Sequence, residues 1–277
     1  MDWTDILRCP RTGAKLCLDE AASVLRAESS DTTYPVVDGI VDFCPGANDR
    51  IATAYDKATR RYDSCMMSST VPMKVVGRIV WGLVSDRDPI SKALALLPEQ
   101  FDGVLLDVPV GTGVFTASLY RRYRSATIIG VDISMNMLRK AKARFQKEGV
   151  NNVLLVKADA AHLPVRDGVV GMVLSMNGWH AFDDKQRAVS EMGRVLRKDG
   201  RLLACGYVQG ARRLSDWFVN RFGVRNGFFT PPFFTFDDMN RQFTGFAITQ
   251  KDHDKSFAWF EAVNEGTHVI HNPTGNG

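Results

Sequence analysis

Val104-Leu105-Leu106-Asp107-Val108-Pro109-Val110-Gly111-Thr112-Gly113-Val114-Phe115-Thr116 is the stretch on which the reading of this chain turns. It runs from an apolar segment to an acidic residue, through a glycine-containing turn, into a segment with helical character. An uninterrupted apolar run is the mark of a strand buried on both faces of a parallel sheet. Glycines directly after such a strand let the backbone pass close to a ligand at the start of a helix. Gly-x-Gly alone carries little information, and the third glycine of the dinucleotide fingerprint is replaced by Thr116. The segments downstream give the turn its meaning.

From residue 101 apolar strands and helical segments alternate. Strands are expected at 103–108, 126–132, 152–159, 169–176 and 201–208, and helices at 115–122, 134–148 and 184–197. Connections of this length imply a doubly wound, mostly parallel α/β sheet with right-handed crossovers. Phe246–Thr249 and Phe257–Phe260, joined by the polar tip Lys251-Asp252-His253-Asp254, read as a closing antiparallel pair.

Three aspartates then fall at the ends of the first three strands: Asp107, Asp132 and Asp159. Ligands of open parallel sheets bind at that edge. Asp132 is placed to accept from both hydroxyls of a ribose, Asp159 from an adenine amino group, and Asp107 to face a positively charged part of the ligand. Each aspartate alone is equally readable as a cap or loop residue. Three in register at successive strand ends favour the ligand.

That arrangement resembles the class I S-adenosylmethionine-dependent methyltransferases over roughly residues 100–262. "LLDVPVGTGVFT" is similar to their first motif, "IIGVDISMNMLRKAKARF" to the second and "VKADAAHLPVRDGVVGMVLSMNGWHAF" to the third and fourth; small-molecule and quinone-type members are the nearest in motif. The resemblance implies a seven-stranded Rossmann-like methyltransferase sheet and S-adenosylmethionine as cofactor. It places Val108, Pro109, Gly111, Thr112 and Gly113 at the methionine part, Asp132, Ile133 and Met137 at the ribose and adenine, and Asp159 and Ala160 at the adenine edge. Pro109 stands where the family usually has glycine, so the loop should be stiffer.

Asn177, Trp179 and His180 follow the fourth strand, which would set them beside the transferable methyl. His180 is the candidate general base if the acceptor must lose a proton, and a packing contact if not. Between residues 209 and 240 lies an insert in which eight aromatic residues, among them Trp217, Phe229 and Phe233, crowd between Arg212 and Phe236. A lid over an apolar or aromatic acceptor and a packed helical insert both explain it. Tyr55 joins Trp179, Trp217, Phe229 and Phe233 as a candidate substrate contact.

Residues 1–46 read as a small β module, 47–98 as a helical cap or linker, 99–263 as the S-adenosylmethionine-binding domain and 264–277 as a frayed tail. "LRCPRTGAKL … YPVVDGIVDF" is similar to the zinc-ribbon-like domain in front of some ribosomal RNA methyltransferases, but Thr12 breaks the Cys-x-x-Cys pair begun by Cys9. No metal is expected. The five widely spaced cysteines point to reduced thiols and a cytoplasmic protein. No run is long and apolar enough to span a membrane. The net charge of +4 and pI near 8.8 do not make a nucleic-acid-binding stripe. Methyl transfer to a small molecule is therefore expected. The alternatives are an RNA methyltransferase and a non-catalytic cofactor-binding or partner-activating protein.

Overall fold

The computed structural model describes residues 3–28, 30–45, 53–54 and 89–266. Tyr55 and most of the expected helical cap, residues 47–52 and 55–88, lie outside the described residues. Among the described residues the strands are β1 (Leu16–Asp19), β2 (Val24–Ala27), β3 (Thr33–Val37), β4 (Ile40–Asp42), β5 (Gly103–Asp107), β6 (Ala126–Asp132), β7 (Val153–Lys157), β8 (Val170–Met176), β9 (Leu196–Tyr207), β10 (Phe246–Asp254) and β11 (Phe257–Asn264). The α-helices are α1 (Pro89–Leu94), α2 (Ala117–Tyr120), α3 (Met135–Lys147), α4 (Lys185–Val195), α5 (Arg213–Phe218) and α6 (Met239–Gln242).

These strands form one sheet in the order β1-β2-β3-β4-β7-β6-β5-β8-β9-β11-β10. Its centre, β7-β6-β5-β8-β9, is parallel, and β11 enters antiparallel between β9 and β10. This is the expected doubly wound sheet. One apolar layer packs α1, α2 and α3 on one face through Ala93, Tyr120, Leu138, Ala141 and Phe145. The other packs α4 and the N-terminal strands through Val189, Met192, Leu16 and Tyr34. Strands covered on both faces need apolar residues at successive positions, which is why β5 and β6 read as near-continuous apolar runs.

The helices are shorter than their sequence patterns. α2 keeps four residues and α4 stops at Val195, where β9 begins immediately. The caps agree with the pattern: the Ser134 hydroxyl accepts from Met137 N at 3.2 Å and the Asp184 carboxylate from Arg187 N at 2.9 Å. The hairpin tip also moves. Lys251–Asp254 stay in β10, and the turn falls at Lys255, which takes a φ of 53°.

Two expectations at the chain's ends need revision. The N-terminal strands extend the main sheet: β4 pairs in parallel with β7, aligning Val41 with Val156 and Asp42 with Lys157. Asn264 is no part of a frayed tail. It is 2% exposed, and its amide donates to Gly193 O at 3.0 Å, Leu196 O at 2.9 Å and Arg197 O at 3.2 Å. Those carbonyls belong to the end of α4 and the residues after it, where intrahelical donors run out.

Candidate cofactor site

The parallel strands β5 and β6 align Asp107 with Gly130, so Asp132 projects two residues further at the same edge. Asp132 there organises the glycine turn. One carboxylate oxygen accepts from Gly111 N and the other from Ser134 N, both at 2.9 Å. Val110 N donates to Val131 O at 2.8 Å, and the Arg144 guanidinium of α3 donates to Thr112 O at 3.0 Å. The turn is thus fastened to β6 and α3 at three points. Gly111 has a φ of 57°, and a Cβ built there would meet nothing within 4 Å because the residue borders a cleft.

That cleft, about 830 Å³ with the open space at its mouth included, lies at the C-terminal edge of the sheet. Its lining contains ten of the twelve expected cofactor residues: Val108, Pro109, Gly111, Thr112, Asp132, Ile133, Met137, Asp159, Ala160 and Asn177. The sequence reading missed Val110, Val114, Phe115, Ala158, Met176, Ala181, Phe182 and Asp183. Most are apolar neighbours of named residues, so only a position next to a motif could have pointed to them.

Asp107 and Gly113 do not line it. Asp107 is buried behind the cleft wall, where one carboxylate oxygen accepts from Thr116 Oγ1 at 3.0 Å and from Tyr120 Oη. Burial pushes its carboxyl up to about 7, despite the two hydroxyl donors, and nearby Asp132 adds to the rise. Gly113 serves packing: a Cβ there would lie 2.6 Å from the Phe145 ring. Asp159 stands at the cleft with its carboxylate accepting from Ala161 N at 2.9 Å, while its side chain remains about half exposed.

The residues expected beside the methyl divide. Asn177 borders the cleft in a left-handed conformation (φ 56°), and its Oδ1 is buried with no hydrogen-bond partner among the described residues. A strained backbone and an unsatisfied acceptor at a cleft wall call for a donor on the ligand. Trp179 belongs to the core. It is 2% exposed, stacks on Phe260, and its indole donates to Tyr207 O at 2.7 Å. The aromatic face that fits it for a substrate fits it equally for the core, and the short turn after β8 rotates it inward.

His180 likewise misses the cleft. It is 4% exposed, its ring stacks on Phe229 at 4.3 Å, and burial, with a smaller contribution from the Lys185 ammonium, lowers its pKa to about 3. A neutral, enclosed imidazole at this position is a packing group. Phe229 therefore packs on His180, and Phe233, 6% exposed, packs edge-on against Tyr207. Trp217 points to solvent at 57% exposure. None of the four borders the cleft.

In the N-terminal strands the cysteines face different partners. Cys9 Sγ lies 3.1 Å from Tyr34 Oη, Cys17 Sγ 3.4 Å from Glu28 Oε1, and Cys44 Sγ 3.9 Å from Lys157 O. Among the described residues no group of three or more Cys, His, Asp or Glu converges as a metal site would require.

A parallel sheet ordered this way, with a glycine turn clamped by an acidic residue at the next strand end, defines a class I S-adenosylmethionine-dependent methyltransferase domain. The chain carries one: residues 106–204 match the family described as "Methyltransferase domain". It is similar to the malonyl-[acyl-carrier protein] O-methyltransferase of Geobacter sulfurreducens, at 40% identity over 96 residues covering 35% of each chain. It is 34% identical to the demethylmenaquinone methyltransferase of Thermobifida fusca over 171 residues, covering 60% of this chain and 66% of that one. The matched regions thus span about a third of the first relative and just under two thirds of the second. An S-adenosylmethionine-dependent methyltransferase from Thermotoga maritima shares the fold at 19% identity, with a TM-score of 0.55 over 77% of this chain and 99% of that one. S-adenosylmethionine is the cofactor of this class, and the cleft has the donors and acceptors to hold it.

Proposed function

We propose that this protein transfers a methyl group from S-adenosylmethionine to a small, apolar or aromatic acceptor. The observation that carries the reading is the cleft wall on which Gly111, Asp132, Asp159 and the unpartnered Asn177 Oδ1 converge. Asp132, whose carboxylate accepts from Gly111 N and Ser134 N, is the acidic group of the wall suited to accept from a ribose hydroxyl. Asp159 fits the adenine edge, and Asn177 Oδ1 fits the ammonium of the methionine part. When bound, S-adenosylmethionine supplies a methyl carbon activated by its sulfonium. The chain's own contribution is positioning and exclusion of water. Met176, Ala181 and Phe182 add apolar side chains to the cleft lining, beside Asp183, and that apolar surface supports the reading of an apolar or aromatic acceptor. His180, enclosed and neutral, takes no part in proton transfer under this reading.

Saturating S-adenosylmethionine is expected to raise the melting temperature, since a ligand at about 100 times its Kd adds about 2.7 kcal/mol. Asp132→Ala should remove most of that rise. The melting temperature without cofactor reports separately on the loss of the clamp to Gly111. A rise with NAD and none with S-adenosylmethionine overturns the proposal.

A further inference from the structure

We propose that the outer face of the insert helix docks this protein on an anionic lipid surface. After α5 the chain stays helical through a π turn, Val219–Gly223. One side of this segment is fixed to the domain: Ser215 and Val219 are fully buried, Val219 packs with Tyr207 and Phe233, and the Tyr207 hydroxyl donates to Asp216 Oδ1 at 2.6 Å. The other side presents Leu214, Trp217 and Phe222 at 40%, 57% and 41% exposure. Trp217 and Phe222 meet edge to face at 5.7 Å, so the face is continuous. Large apolar residues exposed together mark a surface that is covered in use.

Charge identifies the occupant. Arg213, Arg221 and Arg225 are exposed around this face, and the Arg221 guanidinium lies 5.5 Å from the centre of the Phe222 ring. Asp216 is the sole acidic residue between Arg212 and Phe236. It is turned inward, accepting from Tyr207 and from Gly210 N at 3.2 Å. The outer face therefore combines tryptophan, phenylalanine and leucine with arginines that meet no carboxylate among the described residues. Such a helix lies in the plane of an anionic membrane interface, its apolar side among the acyl chains and its guanidinium groups at the phosphates.

The inference stands apart from the methyl-transfer reading and is tested without cofactor or acceptor. The full chain is sedimented with phosphatidylcholine vesicles, with and without phosphatidylglycerol. Binding is expected only with phosphatidylglycerol, weakening as salt rises. Arg213→Gln and Arg221→Gln should each weaken it about fivefold, and Trp217→Ser with Phe222→Ser about tenfold or more. Those side chains are exposed, so melting temperatures should hold; if the serine pair destabilises the fold, the arginine variants carry the test. No binding at low salt, or equal binding to neutral vesicles, overturns the proposal. So does self-association in light scattering that the serine pair abolishes, because the face would then join two copies of the chain.

Discussion

Asp107 shows how one side chain can satisfy a motif and still do something other than touch the ligand. The strand-end position requires an acidic residue to read as a family motif, yet its carboxyl points away from the cleft, to Thr116 and Tyr120. It fastens the short helix α2 to β5. Because burial raises its pKa in the folded chain from 3.8 to about 7, folding favours the protonated form. That stabilisation is complete below about pH 4, where the group is protonated in both states, and is lost as pH rises through 7. Asp107→Asn removes this titration. The stability of the natural protein relative to this variant is therefore expected to fall between pH 4 and pH 7.5, measured by urea unfolding at each pH. A constant difference would mean that Asp107 titrates normally.

At the scale of elements, the contact between the glycine turn and the loop after β8 explains Pro109. A Cβ placed on Gly178 would lie 2.0 Å from Pro109 Cδ, so the proline ring occupies the space that any side chain at 178 would need. The two positions form one packing unit: the stiffer turn is accommodated by a glycine 69 residues later. Gly178→Ala is expected to cost about 1–3 kcal/mol by overpacking and to disturb Asn177 beside it. Combining it with Pro109→Gly should recover most of that stability, so a double-mutant cycle should give a clear coupling energy. Additive effects would show that the ring and the loop do not share this space.

Across the whole molecule, the N-terminal strands and the cofactor domain share one sheet and one apolar layer. Their junction contains a mostly buried ion pair: Lys157 Nζ lies 3.0 Å from Asp42 Oδ2 and also donates to Cys44 O at 3.1 Å. Lys157 ends β7, two residues before Asp159, so this pair supports the Asp159 side of the cleft. Asp42→Ala leaves the ammonium without its carboxylate and should cost about 1–3 kcal/mol, seen as a lower melting temperature. The transition should remain single, because the strands unfold with the sheet they extend. A separate early transition for the N-terminal strands would show them to be independent.

The sequence by itself determined the order of strands and helices, the cofactor class and ten residues of the cleft. Those follow from local periodicity and from the rule that a parallel sheet places its strand ends along one edge. It did not determine which way a side chain turns once the strand has ended. Trp179, His180 and Phe233 carry the residue types expected of a substrate site, and packing turned each into the interior. Trp217 turned outward to solvent. Nor could the sequence show that β4 would find β7, or that Asn264 would reach back to the end of α4, because both depend on residues more than 60 positions apart. Local patterning fixes which residues reach the edge of the sheet, and three-dimensional packing decides which of them face the cleft.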